Sequence, residues 1–313
     1  MIASAPGKVV LWGEYAVLTG APAGVMAVDR CAHVHLEPRR QDWLFSSAGF
    51  LTPGLRKAGA DFSGEPAAGM AESVLQSWGY QSMPLPFALH SDTATFYLHG
   101  NAKLGIGSSS ALCTATYRAL AELLNRPFNL AEAIAIHRAF LGSKGSGLDV
   151  AASWHGGVIR FQDGDAQPQH WPEDLHWRVV FTGESASTGA QVAGFSHWLS
   201  EHDPAPVEHL AQCSAALCAA PGSIEAWHAY VGTLAELDQT ARLNIYTAPH
   251  KKLARLASDL DLVYKPCGAG GGDIGIALGT DPDALQRFAS AADALNFVPL
   301  DMEIAANGVR LSH

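Results

Sequence analysis

The stretch Lys103-Leu104-Gly105-Ile106-Gly107-Ser108-Ser109-Ser110-Ala111 decides how the rest of the chain is read. Two glycines spaced two apart let backbone N–H groups approach a ligand that a Cβ would hold away. Three serines follow, and Ser110 or a neighbour is placed to cap the Ala/Leu-rich helix expected over 111–124. The N-terminus of that helix offers unpaired N–H groups and the positive end of its dipole to an anion. Lys103 adds a formal cation beside the loop. The stretch reads as a phosphate cradle, against the plainer reading of a turn that opens a helix. It is not a Walker loop, because no G-x-x-x-x-G-K-[ST] occurs. Nor is it a dinucleotide fingerprint, because Ser110 stands where the third glycine belongs.

Composition narrows the partners. At 313 residues the chain can build two domains or one large one, and with 48% apolar and 16% charged residues it is a globular sequence. A formal charge of −10 argues against nucleic acid or an anionic membrane as the main partner. A polyanionic ligand therefore has to be met by a few locally placed lysines and a metal ion. Five scattered cysteines without a C-x-x-C pattern argue against a disulfide framework or a structural zinc site. No signal peptide and no apolar run of membrane-spanning length is visible, so a cytoplasmic protein is expected.

Outward from the loop, Ala5-Pro6-Gly7-Lys8 reads as a turn leading into a buried strand, Val9-Val10-Leu11-Trp12. Val25–Val28 and His33–Leu36 read as two strands of a hairpin or meander. Residues 38–90 are poorly patterned, apart from a helix over 67–78; 87–90 and 94–98 suggest a strand pair running into the phosphate loop. Leu130 to Leu141 forms an amphipathic helix. In Gly145-Ser146-Gly147-Leu148-Asp149, small residues let a ligand lie against the backbone, and Asp149 starts a helix, where an acidic residue ordinarily serves as a cap. Composition shifts to Gln, Pro, Asp and His near 162–176, a domain boundary that gives units of 1–172 and 173–313. A strand at 177–181 then meets a hydroxyl-rich loop, Thr182 to Gly189, a second anion site by the dipole argument. Helices are expected over 207–219, 223–243, 248–259 and 281–295, with a closing strand near 297–304. Four glycines in Gly268-Ala269-Gly270-Gly271-Gly272-Asp273 cost backbone entropy, and such a loop persists where a side chain would collide with a bound group.

Taken together, Ala5–Lys8 with Gly13-Glu14-Tyr15-Ala16-Val17, Gly105–Ala111 and Gly268–Asp273 resemble the three motifs of the GHMP small-molecule kinases. Gly145–Ala151, Ala186-Ser187-Thr188 and Gly270–Ala277 are most similar to the phosphomevalonate kinase branch. The resemblance implies a two-domain α+β fold with the active site in the interdomain cleft, ATP and Mg²⁺ as cofactors, and phosphorylation of (R)-5-phosphomevalonate. Mevalonate or another alcohol is the alternative acceptor, and a non-catalytic nucleotide sensor the more distant one. It implies catalytic roles for Lys8, Lys103 and Asp149. ATP phosphates fall to Gly105, Ile106, Gly107, Ser108, Ser109 and Ser110, and Ser109 is the metal-ligating hydroxyl. The acceptor falls to Tyr15, Ser146, Gly147, Ser187, Thr188, Gly270 and Gly271, with Arg138 and Lys144 for its phosphate. Mevalonate kinases carry a glutamate eleven residues before the aspartate as a magnesium ligand. Here that position is Arg138, preceded by His137. A phosphate acceptor is already largely ionised near neutrality, so Asp149 is read as orienting Lys8 or the acceptor.

Overall fold

The computed structural model describes residues 1–49, 53–98, 102–142, 145–186 and 188–313. The chain opens with β1 (Ile2–Trp12), a 3₁₀ turn over Ala16–Thr19, and β2 (Ala23–Pro38). Next come β3 (Trp43–Ala48), β4 (Leu55–Lys57), α1 (Pro66–Ser77) and β5 (Phe87–Asp92). α2 (Ser108–Leu123), α3 (Leu130–Leu141), α4 (Leu148–His155), β6 (Val158–Gln162) and β7 (Asp165–Pro168) complete the first half. The second half runs β8 (His176–Phe181), α5 (Thr188–Glu201), α6 (Ala205–Ala219), α7 (Ile224–Ala241), α8 (Ala248–Ser258), β9 (Val263–Pro266) and β10 (Ile274–Gly279). α9 (Pro282–Ala294), β11 (Val298–Leu300) and β12 (Arg310–Ser312) end it.

The strands form two sheets, one ordered β12-β1-β2-β5-β3-β4 with β6 and β7 branching from β2, the other β11-β8-β10-β9. This is the expected α+β class. α2 and α4 pack on β1 and β2, while α8 packs on β9 and α9 on β8 and β10. One apolar core runs through both halves, and Trp12 of β1 meets Trp227 of α7 edge-on at 5.6 Å between ring centroids. A smaller core of Tyr264, Leu253 and Phe288 lies between the second sheet and α8 and α9. No helix among the described residues is long and apolar enough to cross a membrane.

Several local expectations are corrected. Ala5-Pro6-Gly7-Lys8 is not a turn but the middle of β1, where the register with β2 shifts between Pro6 and Gly7. A bulge is one of the few strand positions that tolerates proline. The expected hairpin over 25–36 is a single strand, β2. Its polar pair Asp29-Arg30 reads as a turn but is held in the strand by the C-terminal segment: Asp29 N–H donates to Glu303 O at 3.0 Å, and Arg30 donates to Asp301 O at 2.8 Å. Residues 94–96 form a 3₁₀ turn instead of a strand, because the Asp92 carboxylate accepts from Ala94 N–H. The poorly patterned 38–90 segment contains β3 and β4, with β3 pairing parallel to β5. β12, not foreseen, returns the end of the chain to β1 in the first sheet.

Candidate functional site

Lys8 lies in β1 two residues past Pro6, where Asp29 and Arg30 bulge out of the facing strand β2, and its backbone meets the glycine loop. Lys8 N–H donates to Ile106 O at 2.8 Å, so strand and loop are joined backbone to backbone. Gly7 permits this approach, since a Cβ there would sit 2.7 Å from the same carbonyl oxygen. Gly107, at φ +84°, is the residue before α2, and a Cβ on it would meet the Lys8 chain at 2.9 Å. The Lys8 stem therefore lies across the turn that opens α2. No serine side chain caps that helix, contrary to expectation: the Ser110 hydroxyl donates back to Gly107 O at 2.8 Å. The first-turn N–H groups are thus not taken up by a side-chain cap, and the dipole faces the Lys8 side of the loop.

Lys8 is buried, and its ammonium lies 3.7 Å from a carboxylate oxygen of Asp149. Asp149 does not itself precede the helix. Gly147, at φ +94°, holds that place, and Asp149 sits in the first turn of α4. The Ser146 hydroxyl accepts from Leu148 N–H at 3.4 Å. Arg138 comes to this loop from the last turn of α3 and donates to the carbonyls of Gly145 and Ser146, both at 2.6 Å. Its guanidinium thus shapes the backbone that precedes Asp149. His137, next to it, is buried and contacts Ser109 of α2, Nε2 to Oγ 3.2 Å. Burial holds the His137 pKa below the ordinary histidine value; Asp149 opposes that shift and Lys103 reinforces it.

The third glycine loop closes over the first. The Asp273 side chain packs against Gly105, and its carboxylate accepts from Ala186 N–H at 3.1 Å. Burial raises the Asp273 pKa, countered by the Ala186 amide, Lys8 and Lys103. Lys103 is exposed, and its carbonyl accepts from the Ser185 hydroxyl at 3.5 Å. Gly271 N–H donates to Ile245 O at 3.2 Å, and Gly270 packs on Ile245. Tyr15, at φ +62°, donates its hydroxyl to Ala269 O at 2.5 Å, so it anchors the third loop. Lys8 of β1, Lys103 and Gly105–Ser110 at the start of α2, Ser146, Gly147 and Asp149 at the start of α4, and Gly270 and Gly271 of the third glycine loop thus come from four segments that meet. Thr188 begins α5 on the exposed side, whereas Lys144 and Ser187 lie outside the described residues.

Two buried groups that hold these loops were not singled out from the sequence. Lys265 of β9 is fully buried and donates to Glu14 at 2.5 Å and to Val10 O at 3.2 Å. Tyr230 of α7 donates to the second Glu14 oxygen at 2.5 Å and accepts from the Gly13 and Glu14 amides. A lysine inside the apolar run Leu262–Cys267 was the available signal, since a buried charge demands a partner. The other group is His250 of α8. Its Nε2–H donates to Gly272 O at 3.0 Å, and its Nδ1 accepts from the Tyr264 hydroxyl at 2.8 Å. A carbonyl can only accept, so the ring is the Nε2–H tautomer.

Among the described residues no three His, Cys, Asp or Glu side chains cluster closely enough to hold a metal. A magnesium ion held mainly through phosphates would need no such cluster, and the Ser109 hydroxyl lies in the first turn of α2 beside the glycine loop. Residues 68–157 match the GHMP kinases N terminal domain. Over 99% of this chain and 98% of the relative, the sequence is 29% identical to a phosphomevalonate kinase of Streptomyces sp. (strain CL190). It is 26% identical to a mevalonate kinase of Pyrococcus horikoshii over 99% of this chain and 97% of that one. A Streptococcus pneumoniae phosphomevalonate kinase, solved with phosphomevalonate and AMPPNP, superposes with a TM-score of 0.80 at 19% identity, covering 97% of this chain and 99% of that one.

Proposed function

From a chain that carries the GHMP kinases N terminal domain within a GHMP-kinase-like fold, we propose an ATP-dependent phosphotransferase whose acceptor is (R)-5-phosphomevalonate and whose products are ADP and 5-diphosphomevalonate. The observation that carries the reading is the placement of the Lys8 ammonium, which runs from the α2-opening turn to 3.7 Å from Asp149. Phosphoryl transfer asks a protein mainly for positioning and for neutralisation of the transferred charge. Lys8 supplies that charge where the loop Gly105–Ser110 and the α2 N-terminus would receive the phosphates. Lys103, on the exposed rim, adds to it. Bound with the nucleotide and held by Ser109, magnesium would shield the phosphate oxygens.

Asp149 holds Lys8 in place and needs to take little proton from an acceptor whose phosphate is already ionised. The acceptor would lie along Ser146 and Gly147, with Thr188, Gly270 and Gly271 opposite and Tyr15 fixing the third loop; Ser187 is assigned to the acceptor as well. Arg138 and Lys144 are assigned to its phosphate, Arg138 by shaping the 145–146 backbone as well as by charge. The division between the two halves falls near residue 172, with β12 rejoining the first. Mevalonate is the second reading, favoured by the similarity to the Pyrococcus horikoshii enzyme. The basic residue Arg138, where mevalonate kinases carry an acid, supports the phosphorylated acceptor.

The test is ADP release from Mg-ATP with (R)-5-phosphomevalonate, with mevalonate and with no acceptor. Turnover on the phosphorylated acceptor alone is expected. Turnover on mevalonate alone overturns the substrate, and ATP binding without ADP release on either overturns the activity.

A further inference from the structure

The contact between His137 and Ser109 joins two helices at the point where the proposed nucleotide would bring its cation. Ser109 lies in the first turn of α2, and His137 reaches it from α3, which packs against α1, α2 and α4. The histidine is buried, so its ring has little freedom to turn away, and its Nε2 lies 3.2 Å from the hydroxyl oxygen. A serine hydroxyl carries one hydrogen and two lone pairs. When its lone pairs face a cation, the hydrogen must be donated in another direction. An uncharged imidazole with its proton on Nδ1 supplies that acceptor at Nε2.

We propose, resting on the kinase reading above, that His137 is a positioning residue: it accepts the Ser109 hydrogen and so turns the serine oxygen toward the cation that accompanies the nucleotide. No carboxylate stands at this place on α3, and the neighbouring Arg138 is committed to the carbonyls of Gly145 and Ser146. His137 therefore acts through Ser109 without itself touching the metal. The partner that orients a metal ligand commonly contributes about 10- to 100-fold to metal affinity.

The experiment is binding, at one fixed neutral pH and without acceptor, of Mn²⁺·ATP followed by the electron paramagnetic resonance of the manganese, beside binding of ATP in EDTA. His137→Leu is expected to weaken Mn²⁺·ATP by about 10-fold or more while ATP in EDTA stays within about twofold. His137→Gln, whose amide oxygen can accept from Ser109, restores most of the loss. In a Ser109→Ala background His137→Leu has no further effect. An unchanged Mn²⁺·ATP affinity, an equal loss with and without metal, or full additivity with Ser109→Ala overturns the inference. If the leucine variant does not fold, His137→Asn, whose shorter side chain falls short of Ser109, takes its place. A Ser109→Ala change that leaves Mn²⁺·ATP binding untouched refutes Ser109 as the cation's hydroxyl. Loss on Ser109→Ala with none on His137→Leu or His137→Asn refutes only the role of His137.

Discussion

His250 makes acid sensitivity a property of the third glycine loop. Its ring is held between the Tyr264 hydroxyl and Gly272 O, and burial depresses its pKa from 6.5 to about 4, with the Gly272 carbonyl opposing and Lys265 reinforcing. In the unfolded chain the same ring takes up a proton near pH 6.5. A histidine whose folded pKa is the lower one favours the unfolded state as pH falls. Its penalty is absent well above pH 6.5, grows between 6.5 and about 4, and is complete below that. At pH 5 the unfolded chain gains about 1.5 log units of proton binding over the folded one, or about 2 kcal/mol. The perturbation is His250→Gln, which keeps a donor and an acceptor but cannot titrate. Urea unfolding of both proteins at pH 7.5 and pH 5.0 gives two stability differences, and the second should favour the variant by about 2 kcal/mol more than the first. The same difference at both pH values, within about 0.5 kcal/mol, would refute a neutral, buried His250 as the source.

Removing one end of the Glu14–Lys265 pair strands the other in the core, so Lys265→Met should cost about 3–5 kcal/mol in denaturant unfolding. Adding Glu14→Leu should recover part of that; full additivity would show that the two groups are not coupled. Gly7→Ala drives a Cβ toward Ile106 O and Phe96 and should destabilise by about 1–3 kcal/mol with weakened ATP binding. Gly59→Ala, with nothing within 4 Å of the new Cβ, serves as the neutral control by calorimetry. Asp149→Asn should lower turnover on the phosphorylated acceptor by less than about 100-fold, because the aspartate orients Lys8. A loss of about 10²–10⁴-fold with unchanged substrate binding, read from steady-state kinetics, would make it a general base instead.

Much of the architecture was legible locally. The helices at 130–141 and 248–258 announce themselves through periodicity, Asn129 and Ser223 cap their helices as short polar residues do, and Gly107 and Gly147 each open a helix at positive φ. The three glycine loops were also visible, because glycine is costly unless something must lie close to it. What misled was polarity inside strands. Asp29-Arg30 and Pro6-Gly7 carry turn chemistry, yet the facing bulge and the 301–305 segment keep both strands extended.

The sequence by itself determined most of the helices, the α+β class and the glycine-rich segments, since these follow from spacing and backbone freedom within a few residues. Only the tertiary structure decided what those loops touch. Lys8 reaches Asp149 across 141 positions, Glu14 finds Lys265 across 251, and Ser109 finds His137 across 28. No local propensity encodes such pairings. They exist because a buried charge or polar atom must find its complement wherever the packing of the two sheets happens to bring one.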